Sequence, residues 1–442
     1  MTHVDVVVVG GGAAGLTAAR GLAEQGLSVA LLEARDRLGG RIATTQYPDS
    51  ISPLELGAEF VHGRPPEIFS LPASEFALYE IHGETWTSRQ GHLRPDHRLD
   101  ESLEGVLKEI LAWRGVDRSL ASFLDERFPE GRHTAARDAF KRYVEGFDAA
   151  DANTVSIQWL AQCERTARRI AGSRQFRVSV GYGQVISWLH AGLPADRALV
   201  RLNTIVHEVG WSPGQVRIES HAPAGESLEP VTAQAAVITL PLGVLTADRR
   251  AAAAVHFVPD LGDKQSTYKE LAMGPVLKVV LRFREPFWDR MRPPYPNLPR
   301  LSFLFAPDEI FPTWWTSYPL VAPLLTGWLA GPRAAPLAHQ TDARIIGQAV
   351  EALARSLGVP TGTLETELAS AHLHNWNTDP FARGAYSYVL AGGLEAPRRL
   401  GAPLANTLFF AGEATDTEGN TGTVHAAIAS GNRVVGEILR RG

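Results

Sequence analysis

The sequence predicts an α/β protein in which a Rossmann-type unit is interleaved with a second, α+β unit. Three observations predict it. A β-branched run from Val4 to Val9 stops abruptly at "GGGAAG", and an alanine-rich helical pattern follows it. A second apolar run ends at an acid, and 442 residues are more than one ordinary compact domain needs.

Val4 to Val9 lacks polar alternation, the pattern of a parallel strand buried on both faces. Gly10, Gly12 and Gly15 then form G-x-G-x-x-G, and Ala13 to Leu22 carries strong helix formers up to a stop at Gly26. Glycines let such a turn fold tightly and let a phosphate approach the backbone, where free N–H groups and the helix dipole favour negative charge. The second strand, Ser28 to Leu32, ends in Glu33, 18 residues beyond Gly15. An acid there can accept both ribose hydroxyls of an adenosine. Glycine clusters also make ordinary turns; the order strand, turn, helix, strand, acid is what favours a dinucleotide. "ARDRLGGRIAT" follows at once and supplies Arg35, Gly39, Gly40 and Arg41 as a second glycine and arginine turn close to the first.

The bulk numbers exclude other classes. A formal net charge of -5, with 21% charged residues, leaves no basic excess for nucleic acid. The only cysteine, Cys163, permits no internal disulfide and no cysteine-based metal site, and a small buried or helical thiol is its expected state. The short apolar run after Met1 does not read as a signal peptide, and no stretch approaches the roughly 20 apolar residues of a spanning helix. A cytoplasmic protein without a membrane partner is expected. "ESLEGVLKEILAWRG" and "AARDAFKRYVEGF" predict helices, and the proline-rich "RMRPPYPNLPRL" predicts a surface loop.

The paired glycine turns resemble the flavin-binding signature of the glutathione-reductase-like FAD fold. Further motifs extend the resemblance to the flavin amine oxidase family, which includes monoamine oxidases, polyamine oxidases and lysine-specific histone demethylases. They are "ELGAEFVHG" (55–63), "RLNTIVHEVGW" (201–211), "AAVITLPLGVL" (235–245), "MGPVLKVVLRFREPFW" (273–288), "NWNTDPFARGAYSYV" and "LFFAGEATDTEGNTGTVHAAIASG". The resemblance implies an interleaved architecture, with FAD-binding pieces at 1–70, 180–267 and 397–442 and substrate-binding pieces at 71–179 and 268–396.

It also implies roles. Gly10, Gly12, Ala14 and Gly15 would meet the diphosphate, with Glu33, Ala34, Arg35, Gly39, Gly40 and Arg41 beside them. Gly57, Ala58 and Glu59 would pass the flavin ring, and Val206 would offer its backbone to adenine. Trp376, Gly412, Glu413, Thr423 and Val424 would complete the cofactor site, the last two at a helix N-terminus. Lys278 would hold a water near flavin N5; burial can strip a lysine of its charge, while a strand-end lysine can also snorkel to solvent. His62 would orient the amine or take part in proton removal, or it is a satisfied loop residue. Glu59 would pair with a second substrate ammonium, and Trp315, in "FPTWWTSYP", would wall the pocket. Tyr386, with Tyr388 close by, falls at the first position of an aromatic amine cage, core packing being the alternative for both. Thr423 stands where monoamine oxidases carry the second cage tyrosine. Ala385 occupies the position of their flavin-linking cysteine, so the FAD is expected to be noncovalent.

The expected reaction is oxidation of a secondary amine or polyamine by hydride transfer to flavin N5, followed by iminium hydrolysis and reoxidation by O2 to H2O2. Two alternatives share the scaffold: a desaturase or porphyrinogen-type oxidase on a bulky neutral substrate, and an amine dehydrogenase with another electron acceptor.

Overall fold

The computed structural model describes residues 2–47, 51–72, 74–96, 99–131, 133–291 and 295–441. Two large sheets organise them. The first is built around the valine run, Thr2–Val9, which lies between Val29–Leu32 and Val231–Ile238, all parallel. Ala198–Arg201 extends the parallel layer on one side, and Leu408–Phe410 pairs in parallel with Val231–Ile238. An antiparallel hairpin, Ile205–Ser212 with Gln215–His221, continues the sheet on the other side. Because strands in the middle of such a layer have helices on one face and the hairpin layer on the other, they contain no polar alternation.

The helix Ala13–Glu24 follows the first strand, and Gly26, at φ +86°, ends it in the left-handed region. Its apolar face meets the C-terminal helix Val424–Leu439. The backbones come close because Gly431 has no side chain there: a Cβ would lie 2.6 Å from the Ala14 carbonyl oxygen.

The second sheet has seven strands, and Val276–Phe283 runs between Leu324–Ala330 and Leu368–Leu373. Its alternation divides the strand cleanly. Leu277, Val279, Leu281 and Phe283 enter a core covered by the helix Asp342–Leu357, while Val276, Lys278 and Val280 point to the opposite face. That face looks toward the first unit.

The predicted helices form as Leu99–Ala112 and Thr134–Phe147, and with Ile157–Arg169 they bury Phe140, Val144 and Leu160 in a third core. Cys163 sits half-buried on the last of them as a free thiol. Of the proline-rich segment, residues 292–294 lie outside the described residues. Among the described residues no helix is long and apolar enough to cross a membrane.

Candidate active site

The two glycine turns form one surface. Gly39 N–H donates to the Gly11 carbonyl at 2.9 Å, and Gly12 and Gly39 pair as an isolated parallel bridge. Gly10, at φ +108°, has no room for a Cβ beside Thr239, and a Cβ on Gly15 would sit 1.9 Å from the Gly10 carbonyl oxygen. Gly12 differs: a Cβ there would meet nothing within 4 Å. It opens onto free space at the start of a 12-residue helix that has no side-chain cap, so its first N–H groups point outward unclaimed. Glu33, 5% exposed, closes the back of the turn by accepting from Gly11 N–H at 2.7 Å and Arg35 N–H at 2.9 Å. This cradle fits a dinucleotide such as FAD.

The arginines differ from expectation. Arg35 pairs through Nη2 with Asp379 at 2.7 Å and lies over the Phe381 ring at 5.1 Å, so part of its charge is met inside the protein. Arg41 donates through Nη1 to Glu413 and to the Ala385 carbonyl, both at 2.8 Å, which leaves Nε and Nη2 free among the described residues. Glu413 is a hub: its second oxygen accepts from Ser387 Oγ at 2.7 Å and Gly422 N–H at 3.0 Å. Gly412, at φ +125°, donates to Ser430 Oγ. Val206 pairs with Ser220 in the hairpin, at a register break, while Asn203 and Thr204 donate to the carbonyls of Arg35 and Glu33. Ala34 is half-buried beside them.

Gly57 joins the cradle to the second unit. A Cβ on it would collide with the Arg41 carbonyl oxygen at 1.9 Å, Ala58 N–H donates to that same oxygen, and Trp376 anchors the segment by donating to the Leu56 carbonyl. From the other side, Lys278 Nζ reaches the Gly57 carbonyl at 3.1 Å.

Lys278, 3% exposed, is not isolated: Glu59 Oε2 lies 2.7 Å from it. Glu59 also accepts from Arg177 Nε at 2.8 Å and from Trp315 Nε1 at 3.0 Å. Burial works against ionising Glu59, yet Lys278 and Arg177 outweigh it and hold the carboxyl below its usual range. Both oxygens thus serve internal cations and do not stand free for a substrate ammonium. Glu55, in the same segment, is lifted to about 7 by burial despite Lys278.

An aromatic wall stands over this cluster. Phe60 meets Trp315 edge-on at 5.2 Å, Trp315 continues to Trp328 at 5.8 Å, and the His62 ring meets Phe147 at 5.2 Å. Tyr386 completes it by donating from its hydroxyl to the Phe147 carbonyl at 2.6 Å. Tyr388, two residues on, packs in the helical core at 6% exposure, its hydroxyl 3.4 Å from Thr154 Oγ1. Of the two tyrosines only Tyr386 borders the wall. Thr423 is the N-cap of the C-terminal helix, accepting from Ala426 N–H and donating to the Asn420 carbonyl. The Val424 N–H therefore sits at an open helix start. Burial pushes the His62 imidazole down to about 4, and the same cause, with His62 adding to it, pushes His425 to about 3. Among the described residues neither His62 Nδ1 nor His425 Nε2 has a hydrogen-bond partner.

Sequence reasoning missed Arg177, Glu55, Phe147 and His425. Arg177 lies in Gln175–Val178, whose polar and apolar residues alternate, so it read as a cation on a solvated strand face. Phe147 and His425 carried no signal, because their roles depend on which distant segments meet them.

The flavin containing amine oxidoreductase family model matches residues 13–439. Polyamine oxidase 3 of Oryza sativa subsp. japonica is 30% identical over 97% of this chain and 87% of its own length. Polyamine oxidase 2 of Arabidopsis thaliana is 29% identical over 97% and 86%. The chain spans 30% of lysine-specific histone demethylase 1 homolog 3 of Arabidopsis thaliana, at 27% identity. Among solved structures, wild-type putrescine oxidase bound to putrescine shares the fold with a TM-score of 0.79, at 21% identity over 99% of both chains. Cyclohexylamine oxidase from Brevibacterium oxydans IH-35A shares it at 0.77, with 20% identity over 99% of each.

Proposed function

The chain belongs to the flavin containing amine oxidoreductase family, and from that premise we propose that it oxidises the carbon beside the nitrogen of a secondary amine or polyamine. The imine product would hydrolyse to an aldehyde and a shortened amine, and O2 would leave as H2O2. FAD, bound noncovalently, supplies the two-electron acceptor. Ala385, which has no nucleophile, supports noncovalent binding.

One observation carries the reading: Gly57 touches both the second glycine turn, through Arg41, and Lys278, through its carbonyl. A dinucleotide laid along the cradle from Gly12 therefore ends where a buried cation and an aromatic wall begin. The chain's own residues have limited tasks there. Gly12 and the helix start bind the diphosphate, and Glu33 faces the ribose. Phe60, Phe147, Trp315 and Tyr386 exclude water and present ring faces to the amine. His62, uncharged near neutral pH, offers its free Nδ1 as a proton acceptor that does not repel an ammonium. The polyamine oxidases among its relatives support the substrate class.

The test is a spectrum of the purified protein, then titration under nitrogen with spermidine, norspermidine and benzylamine. Amine-dependent bleaching, followed in air by recovery and peroxide, is the expected outcome. A bound flavin that no amine bleaches removes the reading. Acid precipitation should release the flavin into the supernatant, whereas a coloured pellet contradicts noncovalent binding.

A further inference from the structure

Lys278 stands on an otherwise apolar strand face, between Val276 and Val280, and is 97% removed from solvent by its 3% exposure. A bare ammonium in such a place would be driven to give up its proton or to withdraw to solvent. Here the side chain stays inside and has partners. Its Nζ lies 2.7 Å from Glu59 Oε2 and 3.1 Å from the Gly57 carbonyl oxygen. An ammonium has three N–H donors and no lone pair. Two are spent on these partners, which leaves one. Glu59 is itself fixed: Arg177 Nε holds Oε1 at 2.8 Å, and Trp315 Nε1 donates to both oxygens at 3.0 and 3.1 Å. The Trp315 ring also lies 5.7 Å from Nζ, where its face favours a cation.

We propose that Glu59 is a positioning residue that keeps Lys278 a permanent ammonium, with a single N–H left to offer the flavin edge or a water upon it. Lys278 in this chain therefore donates a hydrogen bond and a fixed positive charge, and it does not accept a proton during turnover. Proton acceptance falls to another group. Among the described residues, Glu55 and Glu59 act on the lysine's charge, while Arg177 and Tyr79 act on Glu59 from the strands Gln175–Val178 and Leu78–Glu80. Glu59 is the one in direct contact. The inference rests on the proposed function only in placing the flavin ring beside Lys278; the contact between Glu59 and the lysine stands independently of any amine.

Its test reads the lysine directly. Flavin-free protein is treated with acetic anhydride at pH 8, and the Lys278 peptide is quantified by mass spectrometry against exposed Lys108, since only an uncharged amine is acetylated. Glu59→Gln should raise Lys278 labelling roughly tenfold, the effect of one pKa unit. Equal labelling in the two proteins overturns the proposal. Should Glu59→Gln not fold, Glu59→Gln with Arg177→Gln removes one charge of each sign, and a smaller rise in the same direction is expected, because Glu59 touches the lysine and Arg177 does not. In the flavin-loaded protein, Lys278→Met should move the flavin midpoint potential negative through loss of a nearby cation. An unmoved potential also overturns it. Loss of amine-dependent bleaching with these results intact would strike the proposed function and leave the Glu59 role standing.

Discussion

Gly12 and Gly39 pair across an isolated parallel bridge, so two turns separated by a helix and a strand act as one cradle. The glycines in it have unequal reasons. Gly15→Ala drives a methyl to within 1.9 Å of the Gly10 carbonyl oxygen, whereas Gly12→Ala meets nothing within 4 Å. Gly15→Ala should therefore cost about 3 kcal/mol of fold stability or more. Gly12→Ala should leave the flavin-free protein within about 0.5 kcal/mol of wild type and yet release FAD. Denaturant melts with and without added FAD separate the two, and a destabilised Gly12→Ala apoprotein would contradict the assignment.

Lys278→Met should retain FAD while slowing flavin reduction by amine about 100-fold, the scale of removing one preorganised donor. Stopped-flow bleaching under nitrogen measures it. Wild-type rates in both half-reactions would take Lys278 out of the mechanism.

Acid should destabilise the fold through its buried histidines. An unfolded histidine takes up a proton near 6.5, but His62 in the fold does so only near about 4. Between those values the unfolded chain binds more protons, so stability falls as pH falls from 6.5 toward 4. His62→Phe, which keeps a ring against Phe147, should flatten that limb by about 2 kcal/mol. Glu55 works in the opposite sense. Raised to about 7, it contributes most below 4.5, and that contribution is lost as pH rises through 7. Urea melts at pH 5, 6.5 and 8 read both slopes, and parallel curves for wild type and His62→Phe would count against His62.

The two tyrosines should separate functionally. Tyr386→Phe loses the bond to the Phe147 carbonyl, about 1 kcal/mol, and should raise the amine KM. Tyr388→Phe loses a long contact to Thr154 within the core and should leave amine kinetics unchanged. Equal kinetic effects would reverse the assignment.

Thr423→Ala removes the cap of the C-terminal helix and should cost about 1 kcal/mol. Thr423→Ser should restore it. A change in amine preference with no change in stability would return Thr423 to the substrate wall.

The valine strand, the glycine turn, its helix and Glu33 were legible because each is written in contiguous residues with a fixed period or spacing. Lys278 was legible because a cation is costly in an apolar strand. Its partner was not. Glu59 read as a free carboxylate because its partners are far off in sequence, and only folding brings Lys278 and Arg177 to its two oxygens. Arg35 misled for the same reason: its counter-charge, Asp379, lies more than three hundred residues away. Tyr386 and Tyr388 share a strand face, and no local pattern tells which one leaves the core.

The helix that begins at Ala13 packs against Val424–Leu439, and the strand Leu408–Phe410 joins the same sheet, so segments far apart in sequence build one support for the glycine turn. Without Val424–Leu439 the face of the first helix at Ala14, Thr17 and Gly21 would lose the surface that covers it. A variant lacking Leu408–Phe410 and Val424–Leu439 should therefore lose its hold on the nucleotide although the glycine motif itself is intact.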